Sequence, residues 1–162
     1  MKKLCMLMAM LTAMICGYAQ VSVKYQGEVD LGYSVGVGDN ANGRVNLHTI
    51  QGVKISDYFS AGVGFGADFY HEDGCDVIVP IFFNMKGYLP VNAPVTPYLS
   101  LDLGGGIGTG DLSGWGGFMW GPSIGIRYSW FKFQFGYTSQ RLSKYGFGFD
   151  MNAIQFKVGV AF

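Results

Sequence analysis

The chain has 162 residues, a formal net charge of zero and 26 glycines, and only 14% of it is Asp, Glu, Lys or Arg. A soluble globular protein usually devotes about a quarter of its residues to these four types. A membrane-spanning helix needs roughly 20 mostly apolar residues, whereas the longest uncharged stretches beyond residue 20 are 87–101 and 112–126, both broken by Gly or Pro. The composition argues against an ordinary soluble enzyme and a helical membrane protein, and favours one domain that meets lipid with β-strands.

The first 19 residues have the pattern of a cleaved secretory signal. A basic start is followed by an apolar run from Leu4 to Ile15 and by the small residues of Gly17-Tyr18-Ala19, which is the arrangement that a signal peptidase reads. A lipoprotein signal ending at Cys16 is the alternative, although the residue before that cysteine is large. We therefore predict a signal peptide over 1–19 and a barrel domain over 20–162.

Apolar residues alternate with polar or small ones along almost the whole remaining chain, as is typical of half-buried β-strands. We predict eight strands of about ten residues, the length that a tilted transmembrane strand needs. Twelve strands would leave too little chain for the Gly- and Pro-rich gaps. The predicted apolar faces, in chain order, run from Tyr25 to Val37, Val45 to Ile55, Ala61 to Phe69, Val79 to Met85, Leu99 to Ile107, Trp120 to Tyr128, Phe131 to Tyr137 and Ile154 to Phe162.

The gaps between the predicted strands alternate in character. The longer, polar or Gly-rich gaps are 38–43, 71–76, 108–117 and 139–148, the tight ones are 56–59 and 129–131, and 90–97 is intermediate and Pro-rich. Bacterial outer-membrane barrels have longer extracellular loops and short periplasmic turns. The pattern therefore predicts four loops outside the cell and both ends of the barrel domain in the periplasm.

The two faces of the predicted strands differ in a way that sets which one meets lipid. The apolar faces are broad and aromatic, whereas the polar faces carry glycine, serine and one or two charges per strand. A soluble lipocalin-type barrel, apolar inside and polar outside, is the alternative. Small residues with a few charges suit the crowded interior of an eight-stranded barrel, and aromatic residues suit a lipid-facing belt. Because closure pairs the backbone groups that lipid cannot satisfy, we predict an all-β fold, an eight-stranded antiparallel transmembrane β-barrel.

Aromatic residues cluster near both predicted rims, as expected of the interfacial girdles of a membrane protein. The periplasmic girdle is predicted from Tyr58, Phe59, Tyr128, Trp130, Phe131 and Phe162, and the outer girdle from Phe69, Tyr70, Phe118, Trp120, Tyr137, Phe147 and Phe149.

The polar faces place a network of charged residues in the predicted lumen, with a balance of +3 among eleven charges. With one histidine added, its members are Lys24, Glu28, Asp30, Arg44, His48, Lys54, Asp68, Lys86, Asp102, Arg127, Lys132 and Lys157. An eight-stranded barrel has an interior just wide enough for side chains to fill, so we expect a plugged lumen. Glu28 and Asp30 are expected within reach of Lys54, His48 and Lys157.

The last segment of the sequence carries a family resemblance. Residues 154–162 alternate and end in Phe, like the C-terminal β-signal of bacterial outer-membrane proteins. The residues of this assembly signal are Ile154, Phe156, Val158, Val160 and Phe162. With the signal peptide and eight strands, the chain resembles small outer-membrane barrels of the OmpX and OmpA-barrel type, and looks closest to the porin-family barrels of Bacteroidota.

This resemblance implies a monomer in the cell outer membrane that is inserted by the barrel assembly machinery, lies among lipid and lipopolysaccharide, and uses no cofactor. No surface ligand is implied. A nucleic-acid partner is not expected either, because the sequence has no basic stripe.

Two polar segments have a second, chemical interpretation. Gly104 to Gly110 could form a phosphate-binding loop, but no helical pattern follows, as such a loop requires, and close packing in a narrow barrel explains it better. Glu72, Asp73 and Asp76 offer oxygen ligands for Ca²⁺ or Mg²⁺. A solvated hairpin tip is the simpler interpretation, and we predict no metal site.

His48 is the histidine of the predicted barrel wall. A lipid-modifying enzyme would need His, Ser and an acid on the lipid-facing surface, whereas His48 falls on the inward face. We therefore expect no catalytic residues and a non-enzymatic protein with a structural or surface-interaction role through four extracellular loops. The alternatives are a narrow channel for small solutes and a lipid-modifying outer-membrane enzyme.

Overall fold

The computed structural model describes residues 22–38, 42–70, 77–89, 91, 94–110, 113–145 and 147–162. They form a closed barrel in which each strand pairs antiparallel with its neighbours along the chain and the last strand pairs with the first. The predicted fold class is confirmed. The strands are β1 (Val23–Val37), β2 (Arg44–Ile55), β3 (Phe59–Tyr70), β4 (Val77–Tyr88), β5 (Val95–Thr109), β6 (Gly116–Tyr128), β7 (Phe131–Lys144) and β8 (Phe147–Ala161). No helix in this part of the chain is long and apolar enough to cross a membrane.

We call the end of the barrel where β1 begins and β8 ends the lower end, and the opposite end the upper end. The connections at the upper end are 38–43, 71–76, 110–115 and 145–146, and those at the lower end are 56–58, 89–94 and 129–130. The predicted signal peptide over 1–19 lies outside the described residues and stays a prediction.

The prediction of a long loop over 139–148 is wrong. These residues lengthen β7 and β8, which are joined by only two residues, and Arg141 lies opposite Asp150 in the ladder between them. The physical reason is that the inward and outward alternation continues through the polar stretch, with Gln140 and Leu142 buried and Arg141 exposed. The polar residues here mark a hairpin that extends the wall at the upper end.

The outer wall of the barrel is apolar over its whole circumference. Leu31, Phe65 and Ile81 all point outward and are more than half exposed. A soluble monomer rarely exposes such a large contiguous apolar surface, which marks a membrane contact. The arrangement agrees with the lipid-facing wall predicted from the sequence, and the lipocalin-type alternative does not fit it.

The predicted girdles are found in part. The lower girdle residues are exposed, and so are Phe69, Phe118 and Trp120 at the upper end. Tyr70, however, is buried, and Phe149 packs inward against the cluster that contains it. The prediction of an outer-girdle position is wrong for both, because their strands turn these positions toward the lumen. The side chain of Phe147 lies outside the described residues.

Glycines on the inner faces make room for large side chains. A Cβ atom on Gly64 of β3 would lie 2.3 Å from the Cε2 atom of Phe82 on β4, so the ring occupies the space that the glycine leaves. Gly104 on β5 lies opposite Phe82 in the ladder between β4 and β5. The structure does not support the phosphate-loop alternative for 104–110, because residues 104–109 belong to strand β5.

Candidate functional site in the barrel lumen

The lumen is lined by polar side chains that the alternation of the strands points inward. The buried polar and charged residues are Gln26, Glu28, Asp30, Ser34, Arg44, Asn46, His48, Ser60, Asp68, Asn84, Lys86, Ser100, Asp102, Ser123, Lys132, Gln134, Thr138, Gln140, Gln155 and Lys157. A soluble protein core has the opposite composition. Charges buried in this way are stable only if they are paired and hydrogen-bonded.

Glu28 on β1 is the centre of the lower part of this lining. The Lys86 Nζ atom lies 3.0 and 2.9 Å from its two carboxylate oxygens. Lys132 donates to Glu28 as well, and its Nζ atom lies 2.8 Å from Oδ2 of Asp30. The Gln26 amide adds a donor 2.6 Å from Glu28 Oε1. One carboxylate thus ties β1 to β4 and β7 across the lumen.

The lower network continues around the wall through an amide. Lys86 donates to Oδ1 of Asn84 at 2.7 Å, and the Asn84 amide nitrogen donates to Oδ1 of Asp102 at 2.5 Å. Asp102 on β5 forms an ion pair with Lys157 on β8, with 3.7 Å between Nζ and Oδ2. Since β5 and β8 are not neighbours in the barrel, this is a second tie across the lumen.

Asp68 on β3 is the centre of the upper part. Its Oδ1 atom lies 2.8 Å from His48 Nε2 and accepts from the Asn46 amide at 2.5 Å. The Arg44 Nε atom lies 3.9 Å from Oδ2, and Arg44 also donates to the Tyr70 hydroxyl at 2.5 Å. Arg44, Asn46 and His48 all come from the inner face of β2, so one acid on β3 collects three side chains of the adjacent strand.

The upper network reaches the seam between β1 and β8 through neutral groups. The Ser34 hydroxyl donates to Asn46 Oδ1 at 2.6 Å, and the Gln155 amide donates to Ser34 at 3.2 Å. His48 Nδ1 has no hydrogen-bond partner among the described residues, and the His48 ring lies 5.4 Å from the Phe82 ring. His48 therefore has an acid on one side and an apolar ring near it.

The buried charges of the lumen balance. Four acids, Glu28, Asp30, Asp68 and Asp102, are buried together with four bases, Arg44, Lys86, Lys132 and Lys157. These eight acids and bases sum to zero, and pairing among them offsets the cost of burying each ion.

Three residues of the predicted network lie at the lower rim instead. Lys24 is exposed, Lys54 pairs with Asp57 at 3.1 Å, and Arg127 donates to the Ser129 carbonyl at 2.9 Å. They have the inward phase of their strands but stand where the strands end, so water reaches them. The predicted balance of +3 was therefore wrong for the buried set.

The predicted pairing partners were also wrong. Glu28 pairs with Lys86 and Lys132, and neither Lys54 nor Lys157 reaches it. Asp30 faces His48 across the ladder, but His48 bonds to Asp68. The lysine side chains of β4 and β7 are long enough to reach Glu28 across the lumen, and the alternation of β1 alone does not show this.

Apolar layers that the sequence does not predict lie in the lumen above and within the polar networks. Tyr70, Ile78, Leu142 and Met151 form a buried cluster at the upper end, against which Trp115 and Phe149 pack. A second cluster joins Ile50, Phe82 and Met119 inside the barrel. The sequence contains one sign of these layers, because the apolar residues Ile78 and Phe82 stand at inward-facing positions of β4.

Aromatic residues also narrow the lower part of the lumen. The rings of Tyr88 and Tyr98 lie 5.7 Å apart, and the Gln26 amide donates to the Tyr88 hydroxyl at 2.9 Å. A cavity beside Glu28 and Ser60 measures about 10 Å³, which is roughly the least space that holds one water molecule. Side chains thus leave space for about one water molecule beside Glu28 and Ser60.

The remaining predicted residues fall into two groups. Glu72, Asp73 and Asp76 lie outside the described residues, and no group of three His, Cys, Asp or Glu suited to a metal occurs within them. The residues of the predicted assembly signal lie on the outer face of β8 or directly after it: Ile154, Phe156, Val158 and Phe162 are exposed and Val160 is half-buried. Their role in assembly stays a prediction.

Comparison with known proteins defines the class of fold. No family model and no curated protein matches the chain. Among solved structures, the barrel is similar to Neisserial surface protein A, with a TM-score of 0.70 and 15% identity over 86% of this chain and 97% of that one.

Two further solved structures have the same fold. The outer membrane enzyme PagL matches with a TM-score of 0.55 and 8% identity over 82% of this chain and 98% of that one. The N-terminal β-barrel domain of Pseudomonas aeruginosa OprF matches with a TM-score of 0.50 and 14% identity over 87% and 100%. The chain therefore has the fold of the small eight-stranded outer-membrane barrels, as the resemblance implied, and its origin in Bacteroidota stays a prediction.

Proposed function

We propose that the protein is a non-enzymatic barrel of the outer membrane with a closed lumen. In this proposal it has a structural or surface-interaction role and presents the four connections at its upper end to the outside. The apolar wall and its aromatic rims support a place in a bilayer. The fold shared with outer-membrane barrels supports the outer membrane in particular. We further propose that it is a monomer inserted by the barrel assembly machinery, with lipid and lipopolysaccharide around it.

The observation that carries the closed lumen is the set of ties across it. Lys86 on β4 and Lys132 on β7 both pair with Glu28 on β1, and the pair of Asp102 and Lys157 joins β5 to β8. A channel for small solutes would need a continuous water-filled path between these side chains. The paired charges and the apolar cluster above them support a lumen without such a path.

The lipid-modifying alternative has little support from the lumen. His48 and Asp68 form a hydrogen-bonded pair like that of many hydrolases, but both side chains are buried inside the barrel. The Ser34 hydroxyl donates to Asn46 and is linked to Asp68 only through that amide. A lipid substrate approaches from the outer wall, on the far side of the backbone from this pair.

Conductance tests the closed lumen. The purified protein in planar bilayers should give no stable current steps above the empty bilayer at any holding potential, while an open trimeric porin in the same bilayers gives steps of constant size. Large, stable single-channel currents from the wild-type protein would overturn the closed lumen and favour the channel.

The proposed location and orientation are tested by labelling of single cysteines in whole cells. In a Cys75→Ser background, Tyr145→Cys introduces a thiol at the upper end, where the side chain is 92% exposed. Asp57→Cys is the matched variant at the lower end, where the acid is 84% exposed. A membrane-impermeant maleimide should label the first in intact cells and the second only after the outer membrane is opened. The reverse result would invert the orientation.

A further inference from the structure

The barrel closes where β1 meets β8, and the last rung of this seam lies at the lower end. The ladder runs from Val37 opposite Asn152 down to Glu28 opposite Ala161. Below it, the Gly27 N–H donates to the Phe162 carbonyl at 2.7 Å and the Phe162 N–H donates to the Gly27 carbonyl at 2.9 Å. This reciprocal pair is where an opening of the seam from the lower end would begin.

The outer face of β1 has a gap at this rung. Tyr25 and Val29 point outward and are exposed, whereas Gly27 between them is buried. A Cβ atom on Gly27 would lie 2.6 Å from Cε2 and 2.9 Å from Cζ of the Phe162 ring. Carbon atoms in contact lie about 3.5–4.0 Å apart, so the ring occupies space that any side chain at this position would need.

Tyr25 forms the other wall of the gap. Its hydroxyl oxygen would lie 2.9 Å from the same Cβ atom, and it donates to Oε1 of Gln51 on β2. The Gln51 amide nitrogen donates in turn to the Thr49 hydroxyl at 2.9 Å. The hydrogen bond to Gln51 therefore holds Tyr25 in place. The gap over Gly27 lies between the Tyr25 hydroxyl and the Phe162 ring.

We propose that the gap over Gly27 is a binding socket for the Phe162 ring and that the seated ring locks the last rung of the seam. Phe162 then has two separable roles: a predicted one as a signal read during assembly, and a second one in the finished barrel. In lipid, where apolar surface gains nothing from leaving water, such a contact stabilises through close packing. The lock does not depend on whether the lumen is closed.

The barrel offers a matched control for the socket. Gly87 on β4 also points outward near the lower end, and a Cβ atom there would meet no atom within 4 Å. Glycine on this part of the wall is thus not always a socket. Gly87→Ala adds the same methyl group to a strand of the same barrel without displacing a ring.

The test is a double-mutant cycle on the barrel refolded from urea into lipid vesicles with no assembly machinery present, so that reading of a signal cannot contribute. The measurement is the rate at which the compact, heat-modifiable gel band is lost at raised temperature. Gly27→Ala and Phe162→Ala should each unfold roughly three- to tenfold faster than the wild type, the range expected for loss of one aromatic contact. The double variant should unfold no faster than Phe162→Ala, because both changes remove the same contact, and Gly87→Ala should match the wild type.

Three results would overturn the socket. One is a wild-type unfolding rate for Phe162→Ala, which remains measurable even where Gly27→Ala does not refold. Another is a double variant whose rate increase is the product of the two single increases. The third is an effect of Gly27→Ala that disappears in a Tyr25→Phe background and persists in a Phe162→Ala background, since the gap would then serve Tyr25 alone.

Discussion

At the scale of single residues, the stability of the barrel depends on the few partners that each buried charge in the lumen has. The Glu28 carboxylate pairs with the ammonium groups of Lys86 on β4 and Lys132 on β7, and Lys132 also pairs with Asp30. Water that would solvate these ions elsewhere is excluded by the side chains around them. Removing one partner leaves an ion that is buried and uncompensated, which costs far more than the intact pair contributes.

The variant Glu28→Gln tests this dependence. It keeps the shape of the side chain but leaves Lys86 and Lys132 short of an acceptor, so the free energy of unfolding should fall by about 3–5 kcal/mol. Urea unfolding in vesicles, followed by tryptophan fluorescence and gel mobility, measures the loss.

Asp57→Asn is the matched control for Glu28→Gln. It breaks the ion pair of Lys54 at the rim, where the acid is exposed, and should cost at most about 1 kcal/mol. Equal losses for the two variants would show that the lumen is wet enough to solvate Lys86 and Lys132.

At the scale of the strands, the sequence predicts faces well and partners poorly. Alternation places Asn84 and Lys86 inward and Ile81 and Phe83 outward on β4, as the structure has them. It cannot show that Phe82 fills the space over Gly64, because that contact depends on the register between two strands. The same limit applies to Glu28, whose partners stand on strands that are not its neighbours.

The fit of Phe82 over Gly64 leads to a prediction about β3. Gly64→Val places carbon atoms where the ring lies, and overpacking of this kind costs about 1–3 kcal/mol of the free energy of unfolding. Gly87→Val, whose added atoms enter open space, should leave the free energy of unfolding nearly unchanged. The double variant Gly64→Val with Phe82→Leu should recover part of the loss in the same urea assay. No recovery would mean that the glycine serves the bend of β3 and not the ring.

At the scale of the whole molecule, composition and alternation predict the barrel fold, but they do not predict where the strands end at the rims. Polar composition at 139–148 predicts a loop, yet Leu142 and Met151 turn inward, and β7 and β8 continue until only two residues separate them. Loop composition and strand composition overlap wherever a hairpin extends the wall beyond the predicted ends of its strands. The charge balance of the lumen is a property of the same scale, since it appears only when all eight strands are closed.

Because the buried charges balance, we predict that removing equal numbers of acids and bases destabilises the barrel less than removing one acid alone. A variant with Glu28→Gln, Asp30→Asn, Lys86→Met and Lys132→Met loses two acids and two bases, so the buried charges still sum to zero. Replacing a whole buried ion cluster is often neutral or stabilising, so its free energy of unfolding should exceed that of Glu28→Gln alone. A lower value would show that the ties across the lumen contribute net stability.

Partial removal should also change what the barrel lets through. Without Glu28 and Asp30, the ammonium groups of Lys86 and Lys132 lose the carboxylates that hold them at the middle of the lumen, and they repel each other. Each then moves toward water at the lower end, and the space between the Tyr88 and Tyr98 rings and the Phe82 layer becomes open to ions. The variant Glu28→Gln with Asp30→Asn should therefore give brief, irregular current bursts in planar bilayers in which the wild type is silent. The four-residue variant, which has no unpaired lysine in this part, should be silent as well. Bursts of equal frequency from both variants would assign the leak to the loss of polar contacts in general, and not to the freed lysines.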